Sequence, residues 1–212
     1  MLPSLCVLAF VGVLPLVTIF NYSFFDIFTL ESRFWVGTEW YRDILSSERF
    51  LHSLGRSLLF SMIVLSIQIP LGIYIALLLP REGRFRTAIL MILALPLMVP
   101  WNTVPSMWVS FIGSEAGFGG RALALLGLDL DYKFNAIHTW ILLVVMDTWH
   151  WIGLVVILCY SSLSTISPAY YQAAAIDGAS RLQVFRFLEL PKMSGVLMMA
   201  LLLRFMDSFM IY

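Results

Sequence analysis

The sequence predicts an all-α membrane protein: a polytopic bundle of about five transmembrane helices, with two short helices in the loop before the last span. Three observations carry this. Hydrophobic residues make up 60% of the 212-residue chain and charged ones only 12%. Mean hydropathy is +0.90, far outside the soluble balance. Apolar runs of about 20 residues, the length needed to cross a bilayer as a helix, recur along the chain. Runs such as "LLFSMIVLSIQIPLGIYIALLL" show none of the residue-by-residue alternation of a membrane barrel strand.

The spans are expected near residues 2–20, 58–79, 88–112, 136–163 and 195–212, together forming one transmembrane domain over 1–212. The first could be a signal peptide, but it lacks a basic leading segment, is too long, and is followed by no small-residue cleavage site. It is read as a span. Cys6 and Cys159 both fall within spans and are expected to be buried apolar thiols, not a disulfide.

Basic residues set the orientation. Arg81, Arg84 and Arg86 lie within "REGRFR", while Arg181, Arg186 and Lys192 lie in or beside the loop at 164–193. The opposite loops also hold six basic residues, Arg33, Arg42, Arg49, Arg56, Arg121 and Lys133, but spread over longer stretches. Density therefore places the N-terminus and the 164–193 loop in the cytoplasm. His52, His138, the Asn21-Tyr22-Ser23 triplet and the glycines of "GFGG" read as boundary or turn residues.

The 164–193 loop is patterned for two short helices and a bend. "AYYQAAAI" is rich in helix formers, and Gly178 stands where such a helix closes on a left-handed residue. Ser180 and Gln183 have capping-box spacing, and Leu182, Phe185 and Leu188 recur every three residues. Leu190-Pro191 is expected to end the second short helix, since a residue before proline avoids the helical region, and to start the next. A bend of this kind offers a knob. By physics alone an interfacial helix resting on anionic lipid headgroups is an equal alternative.

The loop resembles the cytoplasmic signature of ABC importer permeases, E-A-A, three residues, G, nine residues, I-x-L-P. Gln172-Ala173-Ala174, Gly178 and Leu188-Glu189-Leu190-Pro191 keep that spacing. Asp177-Gly178-Ala179, Phe185 and Leu190-Pro191 match the wider form of carbohydrate importers, and "GTEWYRDIL" and "RFMDSF" extend the resemblance over nearly the whole chain. Two positions depart: Gln172 replaces the usual Glu, and Leu188 the usual Ile. The family has six spans, so the chain is expected to be truncated before its last helix.

The resemblance implies a permease subunit in the cell inner membrane that moves a sugar or polyol, glycerol-like compounds included, by alternating access. It implies coupling to an ATPase through Gln172, Ala173, Ala174, Asp177, Gly178, Ala179, Phe185, Leu190 and Pro191. The partners implied are a second permease subunit, two ATP-binding subunits carrying ATP and Mg, and an external solute-binding protein. Membrane lipid surrounds the chain, and no nucleic acid is expected. No G-x-x-x-x-G-K-[ST] loop is present, so no cofactor or metal is expected on this chain. Other classes are a non-transporting remnant, a permease for another small neutral solute, and a membrane-embedded enzyme using Asp147 and His150. The enzyme lacks any accompanying H-x-x-x-H or H-x-x-E-H pair.

Polar residues inside spans are expensive and mark function or tight packing. Asp147, His150 and Trp151, spaced i, i+3 and i+4, share one helical face. They suit a neutral, hydroxyl-rich solute, or else satisfy one another between helices. Pro96, Pro100 and Pro105 break the third span around Trp101 and Asn102, a pattern of transport sites and of kinked packing alike. Arg204 and Asp207, at i, i+3, are expected to form an intramembrane ion pair.

Overall fold

The computed structural model describes residues 2–29, 32–113, 117–127 and 130–209. The residues expected to form one domain cluster into two compact units, Met1–Arg56 and Ser57–Tyr212.

In the first unit, α1 (Leu2–Tyr22) is apolar all round and carries Pro15. None of its most apolar window is buried within the chain, as befits a helix whose solvent is lipid. Cys6, expected to be buried, is exposed on it, on a helix that is apolar on every side. A small antiparallel hairpin follows, β1 (Phe25–Ile27) paired with β2 (Arg33–Trp35) in the register Asp26 to Phe34. Cross-strand aromatics hold it: the rings of Phe24 and Trp35 stack at 5.5 Å, and Phe25 meets Trp35 edge-on at 5.0 Å. The Tyr41 hydroxyl on α2 (Glu39–Ser46) lies 2.5 Å from Ser23 Oγ. The sequence predicts only a loop over this whole segment.

α3 (Glu48–Leu78) begins ten residues before the expected 58, since nothing in "ERFLHSLGRS" breaks a helix. Its residues from Ser57 onward belong to the second unit. The expected third span is broken: α4 (Arg84–Ala94) gives way to 3₁₀ turns at Pro96–Met98 and Trp101–Thr103, then α5 (Val104–Ile112). The two halves meet at 77°. Pro96 and Pro100 supply the physical cause by removing backbone donors. After α5 comes a further short helix, α6 (Phe118–Leu125).

α7 (Ala136–Ser164) is the axis of the unit. Asn135 caps it, its side chain accepting from the backbone N–H groups of Ile137 and His138. Val155, Val156 and Cys159 are fully buried against Ala76, Leu79 and Met193. At Gly153 the close approach is literal: a Cβ there would lie 1.9 Å from the Leu93 carbonyl oxygen. Only glycine lets the α4 backbone come so near.

α8 (Pro168–Ile176), α9 (Arg181–Val184), a π turn at Phe185–Glu189 and α10 (Leu190–Ser208) complete the described chain. Leu190 departs from its expectation. It is helical, with φ −62° and ψ −45°, so Leu190-Pro191 does not separate the second short helix from the last span. The π turn explains this: the Leu190 N–H reaches back five residues to the Phe185 carbonyl. The widened turn accommodates Pro191, which lacks a donor and would clash with a carbonyl in a regular α turn.

Among the described residues, α1, α3 and α7 are long and apolar enough to cross a membrane, and the bent α4–α5 pair makes a fourth such span. The fifth expected span falls on the 19-residue α10, which carries Lys192, Arg204 and Asp207. Positions 210–212 of that span lie outside the described residues.

Candidate functional site

Two groups of side chains stand out, one inside the bundle and one in the loop between α7 and α10. The first is a polar network joining α3, α7 and α10. Gln68, Asp147 and Arg204 are each 0% exposed. Arg204 Nη2 donates to Asp147 Oδ2 at 2.5 Å, its Nε donates to Gln68 Oε1 at 3.0 Å, and its Nη1 donates to Asp207 Oδ2. Gln68 Nε2 closes the triangle by donating to Asp147 Oδ2 at 2.8 Å. The expected Arg204–Asp207 pair is present, but the arginine also crosses to Asp147. An arginine in hydrocarbon is tolerable when its charge is countered and its donors are engaged, and here two carboxylates face it and each of its three nitrogens donates a hydrogen bond. Beside it, Ser61 and Ser208 hydroxyls meet at 2.5 Å.

The aromatic residues lie against this network. Trp151 places its ring 4.6 Å from the Arg204 guanidinium carbon, a cation–π contact. His150, 3% exposed, packs 4.9 Å from the Trp151 ring and 5.1 Å from that of Trp101. The break in the α4–α5 span thus delivers Trp101 to the same face of α7, whereas Asn102 is exposed. Asp147 Oδ1, His150 Nδ1 and Trp151 Nε1 are buried with no partner among the described residues, as are Thr148 Oγ1 and Trp108 Nε1. Buried polar atoms are rarely left so. Gln68 was missed from sequence. The signal was there: a lone amide in the apolar run "VLSIQIPLG".

The second group is the bend. α8 ends in a Schellman motif: Gly178 has φ 68°, its N–H donates to the Ala175 carbonyl, and the Ala179 N–H donates to Ala174. The capping box at Ser180 is complete, with both the Gln183 N–H donated to Ser180 Oγ and the Ser180 N–H donated to Gln183 Oε1. Of the residues assigned to coupling, Gln172, Ala173, Asp177 and Gly178 are exposed, Ala174 and Ala179 half-buried. Phe185 packs against the core at the start of the π turn, and Leu190 and Pro191 open α10.

Behind the bend lies a cavity of about 280 Å³ lined in part by Arg81, Tyr160, Tyr171 and Glu189. Glu189, only 3% exposed, accepts from the Tyr171 hydroxyl at 3.2 Å and from Arg181 Nη1 at 2.6 Å. The Arg81 guanidinium covers the Tyr171 ring at 3.8 Å. Burial pushes the Tyr171 hydroxyl above its ordinary pKa, and the Glu189 carboxylate adds to this while Arg81 opposes it. The hydroxyl is therefore held as a donor.

Comparisons with known proteins agree with this architecture. The chain aligns over its full length, at 28% identity, with the trehalose/maltose transport system permease protein MalF of Thermococcus litoralis, covering 72% of that protein. At the same identity, 87% of it aligns with the sn-glycerol-3-phosphate transport system permease protein UgpA of Yersinia pseudotuberculosis, 64% of whose length is covered. Its fold is similar to a chain in the crystal structure of a bacterial ABC transporter involved in the import of the acidic polysaccharide alginate. There the TM-score is 0.77 at 20% identity, over 99% of this chain and 72% of that one. The model of one family matches residues 68–212, which hold the polar network and the bend. The chain therefore belongs to the family of binding-protein-dependent transport system inner membrane components.

Proposed function

We propose that this chain carries a small, neutral, polyhydroxylated solute, a sugar or polyol, into the cytoplasm as one transmembrane half of an ATP-driven importer. The observation that carries the solute class is the set of unpartnered buried atoms on α7: Asp147 Oδ1, His150 Nδ1 and Trp151 Nε1. An acceptor, a ring nitrogen and a donor on adjacent turns match hydroxyl groups, which both donate and accept, and the rings of Trp101 and Trp151 suit C–H faces. Neutrality follows from charge. Arg204, the cation of this cluster, is already engaged by two carboxylates, which leaves it nothing to offer an anionic solute. The names of similar proteins support the broad class, since trehalose/maltose and diacetylchitobiose uptake systems are among them.

ATP and Mg belong to two separate cytoplasmic subunits in this reading. Their grooves receive the bend at Gly178, with Gln172, Ala173, Ala174, Asp177 and Ala179 at the contact. A second permease subunit completes the pathway, an external binding protein delivers the solute, and the N-terminus is cytoplasmic. When nucleotide draws the two ATPase subunits together, the bend moves with them and the bundle shifts between outward and inward access.

Reconstituting the chain with its ATPase, second permease and binding protein, and measuring uptake of labelled neutral sugars, polyols and their phosphate esters, tests this. Uptake of a neutral member is expected. Transport restricted to the phosphorylated members would overturn the solute class, and ATP-independent uptake the importer class.

A further inference from the structure

Glu189 has no role in the solute site and lies outside the exposed face of the bend, yet it is the most heavily engaged carboxylate of the loop. One oxygen accepts from Tyr171 on α8, before the bend, and the other from Arg181 on α9, after it. Through the Tyr171 ring it also reaches Arg81, in the loop that leaves α3. That loop is tied down in turn, because the Tyr160 hydroxyl donates to the Pro80 and Arg81 carbonyls at 3.1 and 3.2 Å. One buried carboxylate thus joins both limbs of the bend to the root of α10.

We propose that Glu189 is the positioning residue that makes the bend and α10 a single rigid element, so that movement of the bend reaches Arg204 instead of dissipating in the loop. The backbone suits such a task. α9, the π turn and α10 run from Arg181 to Ser208 without an irregular residue, and Glu189 and Arg204 stand about 22 Å apart along that helix by its rise. Such a lever works only if its short arm is held at a fixed angle. The Schellman turn fixes the local path at Gly178, but two helical limbs of nine and four residues need a further tie to hold their direction. An ion pair with a buried carboxylate and an exposed arginine, 4% and 60% exposed, is stronger than a surface pair, because one partner is shielded from water.

This inference rests on the reading that the bend meets an ATPase, and the test separates the two. In the reconstituted complex, with Cys6→Ser and Cys159→Ala, spin labels at Glu82→Cys and Ala175→Cys report the distance between the α3–α4 loop and α8. The expected distribution is narrow, broad in Glu189→Leu, and narrow again in Glu189→Gln, which keeps an acceptor for Arg181. ATP consumed per solute moved should rise at least about fivefold in Glu189→Leu, the lower end of typical coupling strengths, and recover in Glu189→Gln. Should Glu189→Leu fail to assemble, Arg181→Gln and Tyr171→Phe each remove one partner and should give the same broadening in part. An unchanged distribution, or a broad one with an unchanged ATP ratio, overturns the proposal. If Gly178→Val also left the ratio unchanged, the fault would lie in the reading of the loop itself.

Discussion

Arg204 Nη2 lies 2.5 Å from Asp147 Oδ2, with both side chains fully buried, and this contact ties α10 to α7 at the centre of the bundle. Gln68 adds α3 to the tie. The arginine faces two carboxylates, so it is the member whose loss leaves most charge unmatched.

Arg204→Met should therefore destabilise the assembled protein strongly, by about 3–5 kcal/mol, the cost of stranding buried partners. Asp147→Asn in the same chain should restore part of that loss, because it removes one stranded charge. Thermal unfolding of the purified complex in nanodiscs measures both. Strictly additive losses in the double variant would show that the two residues are not coupled.

Trp151 touches Arg204 through its ring face, while its Nε1 has no partner among the described residues. Trp151→Phe keeps a ring over the guanidinium and deletes only the N–H. It should leave the melting temperature near that of the parent and raise the half-saturating solute concentration about tenfold, equivalent to roughly 1.4 kcal/mol. A changed melting temperature with unchanged uptake affinity would assign the indole to packing.

Gly178 sits at φ 68° with open space around its missing Cβ. A side chain there meets no neighbour, so the cost is purely conformational. Gly178→Val should leave insertion and assembly intact while the bend opens, since β-branched residues rarely adopt positive φ. ATP hydrolysis and solute uptake, measured together in proteoliposomes, should lose their proportionality. Parallel decline of both would point to a folding defect.

Gly153 is the opposite case. It has no unusual φ requirement, but a Cβ would meet the Leu93 carbonyl at 1.9 Å, a backbone atom that cannot swing aside. Gly153→Ala should cost about 1–3 kcal/mol or more by overpacking. Hydrogen exchange should rise in α4 and around the break that carries Trp101. Unchanged protection of α4 would mean that the two helices separate without penalty.

The sequence by itself determined the solvent and the local chemistry of the turns. Long apolar stretches demand helices because no water is present to satisfy a free backbone, so α1, α7 and the broken α4–α5 pair could be read directly. Gly178, Ser180 and Gln183 announced the bend because caps and left-handed residues depend on neighbours within a few positions. Arg204 and Asp207 could be paired from their spacing alone. The hairpin at 25–35 escaped notice, since its strands are three residues long and are held by cross-strand rings more than by any pattern of alternation.

Tertiary structure alone decided which distant residues met. Gln68, Asp147 and Arg204 are separated by 79, 57 and 136 positions pairwise, and helical periodicity gives the face of each without naming its partner. Helix packing turned three isolated polar residues into one hydrogen-bonded network. Packing also changed Leu190: its local preference against helix before proline yielded to a π turn, which kept α9 and α10 continuous and buried the carboxylate of Glu189. Local propensities are worth a few kcal/mol at most, and burial of a helix face outweighs them. Where the contacts are between neighbours in sequence the chain carries its own instructions; where they are between helices, the bundle supplies them.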